Sequence, residues 1–289
     1  MDKERNLKTV ARYIEKMPSL PTSVTKVLEL SNDPNVSPAD LNQVISLDPV
    51  LMGKVMKLIN SAYYGLQQRI TSLVRAIIML GINTVKNLAL STAILTNLGS
   101  DTNMQVINVN GYWRHSLCVG VTAKLIARKK GIPNNQQESY FVAGLLHDIG
   151  KIPLNNTLSK EYLDVLALSD RDRLPLYRSE AKVIGFTHAD VGMLISRAWK
   201  LGEEIHDAIV YHHKWESYEG KHRTILLCIV IANYFANSFE IGFSGNRFPE
   251  IVPSALCDEL GVSLEWLESV EDQVNEEIEK AKVFLKLAE

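Results

Sequence analysis

The stretch Tyr140-Phe141-Val142-Ala143-Gly144-Leu145-Leu146-His147-Asp148-Ile149-Gly150-Lys151 is an apolar, helix-compatible run that closes on two adjacent side chains able to ligate a metal. Gly150, Lys151 and Pro153 follow with the chemistry that stops a helix. Neighbouring helical positions differ by ~100° in direction, so His147 and Asp148 reach one concave site from different angles. Imidazole and carboxylate suit Zn, Fe, Mn or Ni. Lys151 stands where an ammonium would hold an anion above such an ion. A solitary His-Asp pair is more often a core histidine beside a helix-terminal aspartate. Several more histidines downstream change that balance.

The chain has 289 residues, 46% of them apolar, with 16 Gly and 10 Pro, and its formal net charge is -2. That length supports one large or two modest domains. The near-neutral balance supplies no basic field for nucleic acid or an anionic membrane. Arg128-Lys129-Lys130 is a local patch that meets a helix dipole more naturally than a phosphate backbone. Cys118, Cys228 and Cys257 are far apart and form no CxxC pair, which suits reduced thiols and argues against a cysteine zinc knot. Asp2, Lys3, Glu4 and Arg5 open the chain without an apolar signal core, and no apolar run is long enough for a membrane. A soluble, cytoplasmic protein is expected.

The apolar spacing is helical almost throughout, predicting an all-α protein. Leu7, Val10, Ala11, Ile14 and Met17 mark a first helix, and Val24, Val27, Leu28 and Leu30 a second. Ser37-Pro38 with Asp40, and Asp48-Pro49, read as helix starts. A helix over about 72–80 stops at Gly81, and Asn83 or Thr84 caps the next through Leu95. Ser100 to Asn110 is polar and turn-rich, which places a boundary between residues 1–100 and 101–289. Helices are then expected over about 111–130, 138–149, 159–168, 179–198, 202–212 and 223–238. Gly242 to Pro253 reads as a loop, Ser254 to Leu260 as a short helix, and Ser263 as the cap of one final helix with a largely acidic outer face.

Of the seven histidines, five fall in settings able to converge with Asp148. His115 lies early in the 111–130 helix, His147 ends the next, His188 begins the Ala189–Trp199 run, and His212-His213 form a doublet. His206 and His222 lie in charged surroundings and are expected to be exposed. Five imidazoles and a carboxylate on four helices match the way helical bundles build mono- or dinuclear sites. One or two divalent transition ions (Fe, Mn, Zn or Ni) are the expected cofactors.

In their order, His115, His147-Asp148, His188 and His212-His213 resemble the HD superfamily of metal-dependent phosphohydrolases, especially its HD-GYP branch. Leu20-Pro21, Asp48-Pro49-Val50-Leu51, Asn60-Ser61-Ala62-Tyr63-Tyr64 and Ala76-Ile77-Ile78-Met79-Leu80-Gly81 resemble the signature of HDOD domains, output modules of bacterial signalling proteins. The resemblance runs over about residues 18 to 240. It implies an N-terminal helical subdomain, 1–100, packed on an HD-type bundle with C-terminal helices, 101–289. It further implies a regulatory, non-catalytic role, with unidentified signalling proteins as partners.

Three departures bear on activity. HD enzymes close their site with a second aspartate, where this chain has Asn233; an amide oxygen brings no negative charge and cannot act as a base. Gly111 stands where HD-GYP enzymes place an acid. Lys214-Trp215-Glu216-Ser217-Tyr218 replaces the Gly-Tyr-Pro motif, so cyclic di-GMP hydrolysis is not expected. The alternative is a metal-dependent phosphohydrolase acting on a nucleotide or other phosphoester. In it His115, His147, Asp148, His188, His212, His213 and, weakly, Asn233 hold the metal, and Lys151 stabilises charge developing on the phosphoryl group. The Tyr63-Tyr64 pair reads more naturally as packing between the two parts than as a partner surface.

Overall fold

The computed structural model describes residues 2–99 and 104–287, all helices and connecting segments, with no strand among the described residues. The first six helices are α1 (Asp2–Lys16), α2 (Thr22–Leu30), α3 (Pro38–Ser46), α4 (Pro49–Ile59), α5 (Leu73–Leu80) and α6 (Ile82–Gly99). Their starts follow the local chemistry. The Asp40 amide donates to the Ser37 hydroxyl at 3.2 Å while the Asp40 carboxylate accepts from the Ser37 amide at 2.9 Å, a reciprocal cap with Pro38 in the first turn. Asp48 accepts from the Leu51 amide at 2.9 Å and from the Ser23 hydroxyl at 2.7 Å, so one carboxylate both caps α4 and ties it to α2.

The expected cap at Asn83 or Thr84 is not formed. Gly81, at φ 89°, swings the chain through 116° between α5 and α6, and α6 begins at the next residue. A reversal completed within one glycine leaves no extended residue to act as a side-chain cap, and the Gly81 carbonyl accepts the Val85 amide instead. No single described helix is long and apolar enough to cross a membrane; α5 and α6 are so only when taken together, across that bend.

The remaining helices are α7 (Val109–Lys129), α8 (Asn134–Leu146), α9 (Lys151–Thr157), α10 (Ser159–Asp172), α11 (Leu176–Val183), α12 (His188–Ala198), α13 (Glu203–Tyr211), α14 (Arg223–Ser238), α15 (Ser254–Leu260), α16 (Leu264–Ser269) and α17 (Glu271–Lys286), with one 3-10 turn at Trp215–Ser217. Residues 100–103 of the turn-rich boundary lie outside the described residues. Two expected helices are divided. Gly185, at φ 94°, separates α11 from α12, and Val270 ends α16 just before α17. The three cysteines are free and buried.

The centre of the bundle is the crossing of α7 and α8, where two glycines let the backbones touch. A Cβ on Gly144 would lie 2.7 Å from Gly120 Cα, and one on Gly120 would lie 2.7 Å from the Phe141 carbonyl oxygen. This contact sets the distance between His115, a turn and a half before Gly120, and His147, three residues after Gly144. Helix α14 packs along α7, and α17 crosses both α7 and α6. Tyr63 inserts its ring between Phe141 and Phe284, at centroid distances of 5.3 and 5.1 Å, and lies 4.4 Å beneath Lys124 Nζ. Aromatic packing is what the Tyr63 ring does here.

Gly144→Ala should destabilise the protein by about 1–3 kcal/mol, because the new methyl has no space in a backbone contact. Urea unfolding would measure it, and an unchanged midpoint would show that the crossing is looser than described.

Candidate metal centre

Four chain segments deliver the site. Helix α8 ends at Leu146, and His147–Gly150 form a turn. The expected helix exit at Gly150-Lys151-Pro153 is instead a junction. Lys151 opens α9, whose first turn accepts Pro153 because those amides need no intrahelical partner. The turn is held tight by the start of α12. A Cβ on Gly150 would overlap the His188 carbonyl oxygen and lie 2.6 Å from the Gly192 amide nitrogen.

His188 is the first residue of α12 because Gly185 ends α11 and Thr187 caps α12. The Thr187 hydroxyl accepts the Asp190 amide, and Asp190 accepts the Thr187 amide at 2.8 Å. His212 follows α13 directly, and His115 comes from the second turn of α7.

The side chains converge on Asp148. Its Oδ2 lies 2.6 Å from Lys151 Nζ, 3.4 Å from His147 Nε2 and 3.8 Å from His115 Nε2. Its Oδ1 lies 3.1 Å from His188 Nε2 and 3.8 Å from His212 Nε2. His188 Nε2 is 3.2 Å from the Nε2 atoms of both His212 and His213. Two clusters result, His115 with His147 and Asp148, and His188 with His212 and His213, each with ligand atoms within 4.8 Å of one another. Every one of these side chains is buried except that of His213, which is half-buried and stacks on Tyr177 at 4.3 Å.

Outer contacts fix the ring orientations. His147 Nδ1 donates to the Gly144 carbonyl at 2.7 Å, and His212 Nδ1 donates to the Ile209 carbonyl at 2.8 Å. A carbonyl only accepts, so both rings carry Nδ1–H and turn the Nε2 lone pair inward. His188 Nδ1 pairs with Glu180 Oε2 at 2.7 Å. Glu180 is fully buried and also accepts from the Tyr162 hydroxyl at 2.8 Å and from the His188 amide at 2.8 Å. In the sequence Glu180 is hidden between Arg178 and Lys182, neighbours that look like surface. One signal was present: Leu176, Glu180 and Val183 follow helical spacing, which puts the acid on the apolar face of α11.

Asn233, on α14, lies against His115, and its Oδ1 accepts from Asn237 Nδ2 at 2.8 Å. Gly111 is also accounted for: a Cβ there would meet the Phe243 carbonyl oxygen at 3.2 Å, and its own carbonyl accepts the Phe243 amide at 2.9 Å. Phe243 belongs to the segment between α14 and α15, which roofs the centre. Ser244 Oγ in this roof accepts from Lys151 Nζ at 3.1 Å, Asn246 Oδ1 accepts the Leu176 amide at 3.1 Å, and Glu250 meets Arg178 and the Tyr177 hydroxyl. Beneath the roof, a cleft of about 40 Å³ touches His212, His213 and Asn233. His206 and His222 lie away from the centre and, contrary to expectation, are half-buried: His206 Nδ1 pairs with Ser196 Oγ at 2.7 Å and His222 Nδ1 with Asp207 Oδ2 at 2.7 Å.

Burial pushes the His115 imidazole down to about 3 and lowers His147, with His212 and His213 well below the usual value. Burial is the largest single influence on His188 and acts against its protonated form, but the Glu180 and Asp148 carboxylates together outweigh it and raise that group. Asp148 is penalised by burial too, yet His147, Lys151 and His188 hold its carboxyl well below the usual range. Asp148 and Glu180 are thus faced by Lys151 and His188, with His115, His147, His212 and His213 pushed toward their neutral form around them. Among the described residues, His115 Nε2 and His147 Nε2 have no hydrogen-bond partner although fully buried, and Asp148 Oδ1 has only the His188 ring beside it at 3.1 Å. Inward lone pairs left unpaired in a dry site fit a divalent cation, and the donor types suit Fe, Mn, Zn or Ni.

Two outcomes follow. Glu180→Gln should weaken metal binding about 10–100-fold by releasing His188, measured by competition with a chromophoric chelator; equal affinity would remove Glu180 from the assembly. In chelator-treated protein the four depressed imidazoles favour the unfolded chain below their ordinary value of 6.5, so stability falls on acidification. His188, being raised, has the opposite sign: its contribution is complete below 6.5 and fades as pH rises through its folded value. With His206 lowered as well, five against one predicts a urea midpoint that drops between about pH 6.5 and 5, with a flatter slope in His115→Gln. A midpoint rising over that interval would contradict the charge assignment.

The chain is matched by the HDOD domain family model over residues 17–215. Its structure superposes on an HDOD domain protein of unknown function from Geobacter sulfurreducens with a TM-score of 0.73 at 26% identity, covering 97% of each chain. The same fold, at lower identity, is found in a candidate signal transduction protein of Marinobacter aquaeolei VT8 (TM-score 0.72, 20% identity, 100% of this chain and 66% of that one). It recurs in a candidate phosphohydrolase of Shewanella amazonensis SB2B (0.69, 18%, 97% and 98%). An uncharacterized protein of Treponema pallidum (strain Nichols) is 23% identical over 227 residues, 78% of this chain, and the chain spans 43% of that protein's length. By the family match over most of its length, this chain belongs to the HDOD domain family.

Proposed function

We propose that the chain is a bacterial regulatory module of signal transduction that keeps a metal-capable HD centre without efficient phosphohydrolase chemistry. The observation that carries this reading is the closure of the centre. The cleft beside His212 and His213 is about 40 Å³, room for a water or two, whereas small-molecule sites are typically about 300–1,000 Å³. Lys151, the group that would meet a phosphoryl oxygen, is instead committed to Asp148 and Ser244. Asn233 stands in place of a second aspartate and its amide oxygen is already engaged by Asn237. These features together favour a scaffold over a hydrolase.

His115, His147 and Asp148 would hold one divalent transition ion, and His188, His212 and His213 a second, with Asn233 a weak neutral donor. Such an ion would supply Lewis acidity, and with it cross-links among α7, α8, α12 and α13. On this reading residues 1–100 form the N-terminal helical part and 101–289 the HD-type bundle. The module works in the cytoplasm, its partners are signalling proteins, and neither nucleic acid nor membrane is among them.

The second reading, a metal-dependent phosphohydrolase of a nucleotide or other phosphoester, is favoured by one specific observation: the five histidines and Asp148 all reach one site. It requires the α14–α15 segment to lift and Lys151 to leave Asp148. Metal-reconstituted wild type should hydrolyse bis(p-nitrophenyl) phosphate at the background rate, and Asn233→Asp should raise the metal bound per chain by adding a negative donor. Wild-type turnover that is abolished by His147→Ala would establish the hydrolase reading instead.

A further inference from the structure

Helix α4 carries a glycine that the fold itself does not require. Gly53 lies inside the helix, exposed, without a positive φ, and a Cβ built on it meets nothing within 4 Å. Glycine in a helix interior loses stability relative to alanine, so an exposed one with open space calls for a reason outside the helix. Val50, Gly53 and Lys57 follow three-four spacing and share one face. Val50 is 68% exposed, and Leu47, in the turn leading into α4, is 74% exposed. Scattered exposed apolar residues are ordinary, but Val50 lies one turn before Gly53, which lines a concavity.

That concavity is a cleft of about 810 Å³ between α4 and the segment that follows it. Met56, Leu66 and Ile70 form its apolar part. Lys57 and Arg69 stand among its lining residues, and no carboxylate does, among the described residues. The far wall is rigidly placed. The Asn60 side-chain amide donates to the Met56 and Ile70 carbonyls, each at 2.9 Å, and its oxygen accepts the Ile70 amide at 2.8 Å, which clamps residues 61–69 as a closed loop against the end of α4. The groove is thus preformed, with an apolar floor, cationic edges and one point where the backbone is bare.

We propose that this groove docks an amphipathic helix of a partner protein, laid along α4 with a small residue over Gly53 and carboxylates facing Lys57 and Arg69. A bare helical backbone permits close helix–helix approach, apolar anchors fill a groove at helical spacing, and unopposed cations select acidic flanks. The surface is remote from Asp148 in sequence and shares no residue with the metal centre, so it can be tested whether or not metal is bound.

The probe is a synthetic helical peptide of roughly 16 residues with a Leu/Ala stripe flanked by glutamates, titrated into the full chain and followed by fluorescence anisotropy and amide resonances. The expected result is saturable binding near 100 µM (about -5 kcal/mol), shifts confined to α4 and residues 61–71, and at least about tenfold weaker binding of the lysine-flanked peptide and of Lys57→Glu/Arg69→Glu. Gly53→Leu should raise Tm by about 2 °C yet lose the peptide, a combination that excludes loss through misfolding. No binding by about 1 mM, equal binding of both peptides, or unaltered binding by Gly53→Leu would overturn the proposal. Self-association broken by Val50→Glu would overturn it too, assigning the groove to a second copy of the chain.

Discussion

Asp148 is a carboxylate 1% exposed to solvent, with Lys151 at 2.6 Å and four imidazoles at 3.8 Å or less. A buried charge of this kind is tolerated only when it is paired and hydrogen-bonded. Much of the surrounding architecture answers that demand. Lys151 can reach back because Gly150 allows α12 to pass against the turn, and Glu180 is buried on α11 where it pairs with His188 from the outer side. The Gly120–Gly144 crossing brings α7 close enough for His115 to join. Lys151 and His188 face the two carboxylates, and the other rings, which burial pushes toward the neutral form, turn Nε2 to the centre.

The helical class, most helix positions, and the convergence of His115, His147, Asp148, His188, His212 and His213 were legible in the sequence, because period and capping residues are local signals. What was not legible depended on tertiary contacts. Gly150, Lys151 and Pro153 carry the chemistry of a helix end, yet a second helix starts at once, because the turn is set by the approach of α12. Gly185 and Thr187 with Asp190 were local signs that α11 and α12 are separate, and they were overridden by the apolar period running through both. Glu180 looked like surface among Arg178 and Lys182. His206 and His222 looked exposed for the same reason, whereas Ser196 and Asp207 draw them half inside.

The roof segment links these electrostatics to function. Ser244, Asn246 and Glu250 attach it to Lys151, α11 and the Arg178–Tyr177 pair. Asn233 and Gly111, the two places where acids would be expected in an active relative, are each used to pack or anchor something else. The approach to the centre is narrow, and Lys151 is paired with Asp148. On the proposed reading, the output of the module is a surface rather than a reaction. The groove beside α4 is such a surface, held by Asn60 and independent of the centre.

The most direct test of the central claim is anomalous diffraction at the transition-metal absorption edges, from crystals of protein purified without chelator and then soaked with Mn, Fe, Zn or Ni. The expected result is a peak about 2.0–2.2 Å from His147 Nε2 and a carboxylate oxygen of Asp148, with Lys151 displaced toward Ser244 and the roof segment still closed. Crystals that show no peak for any of these metals, with the Lys151–Asp148 ion pair intact, would contradict it and leave the buried cluster as a purely structural polar core.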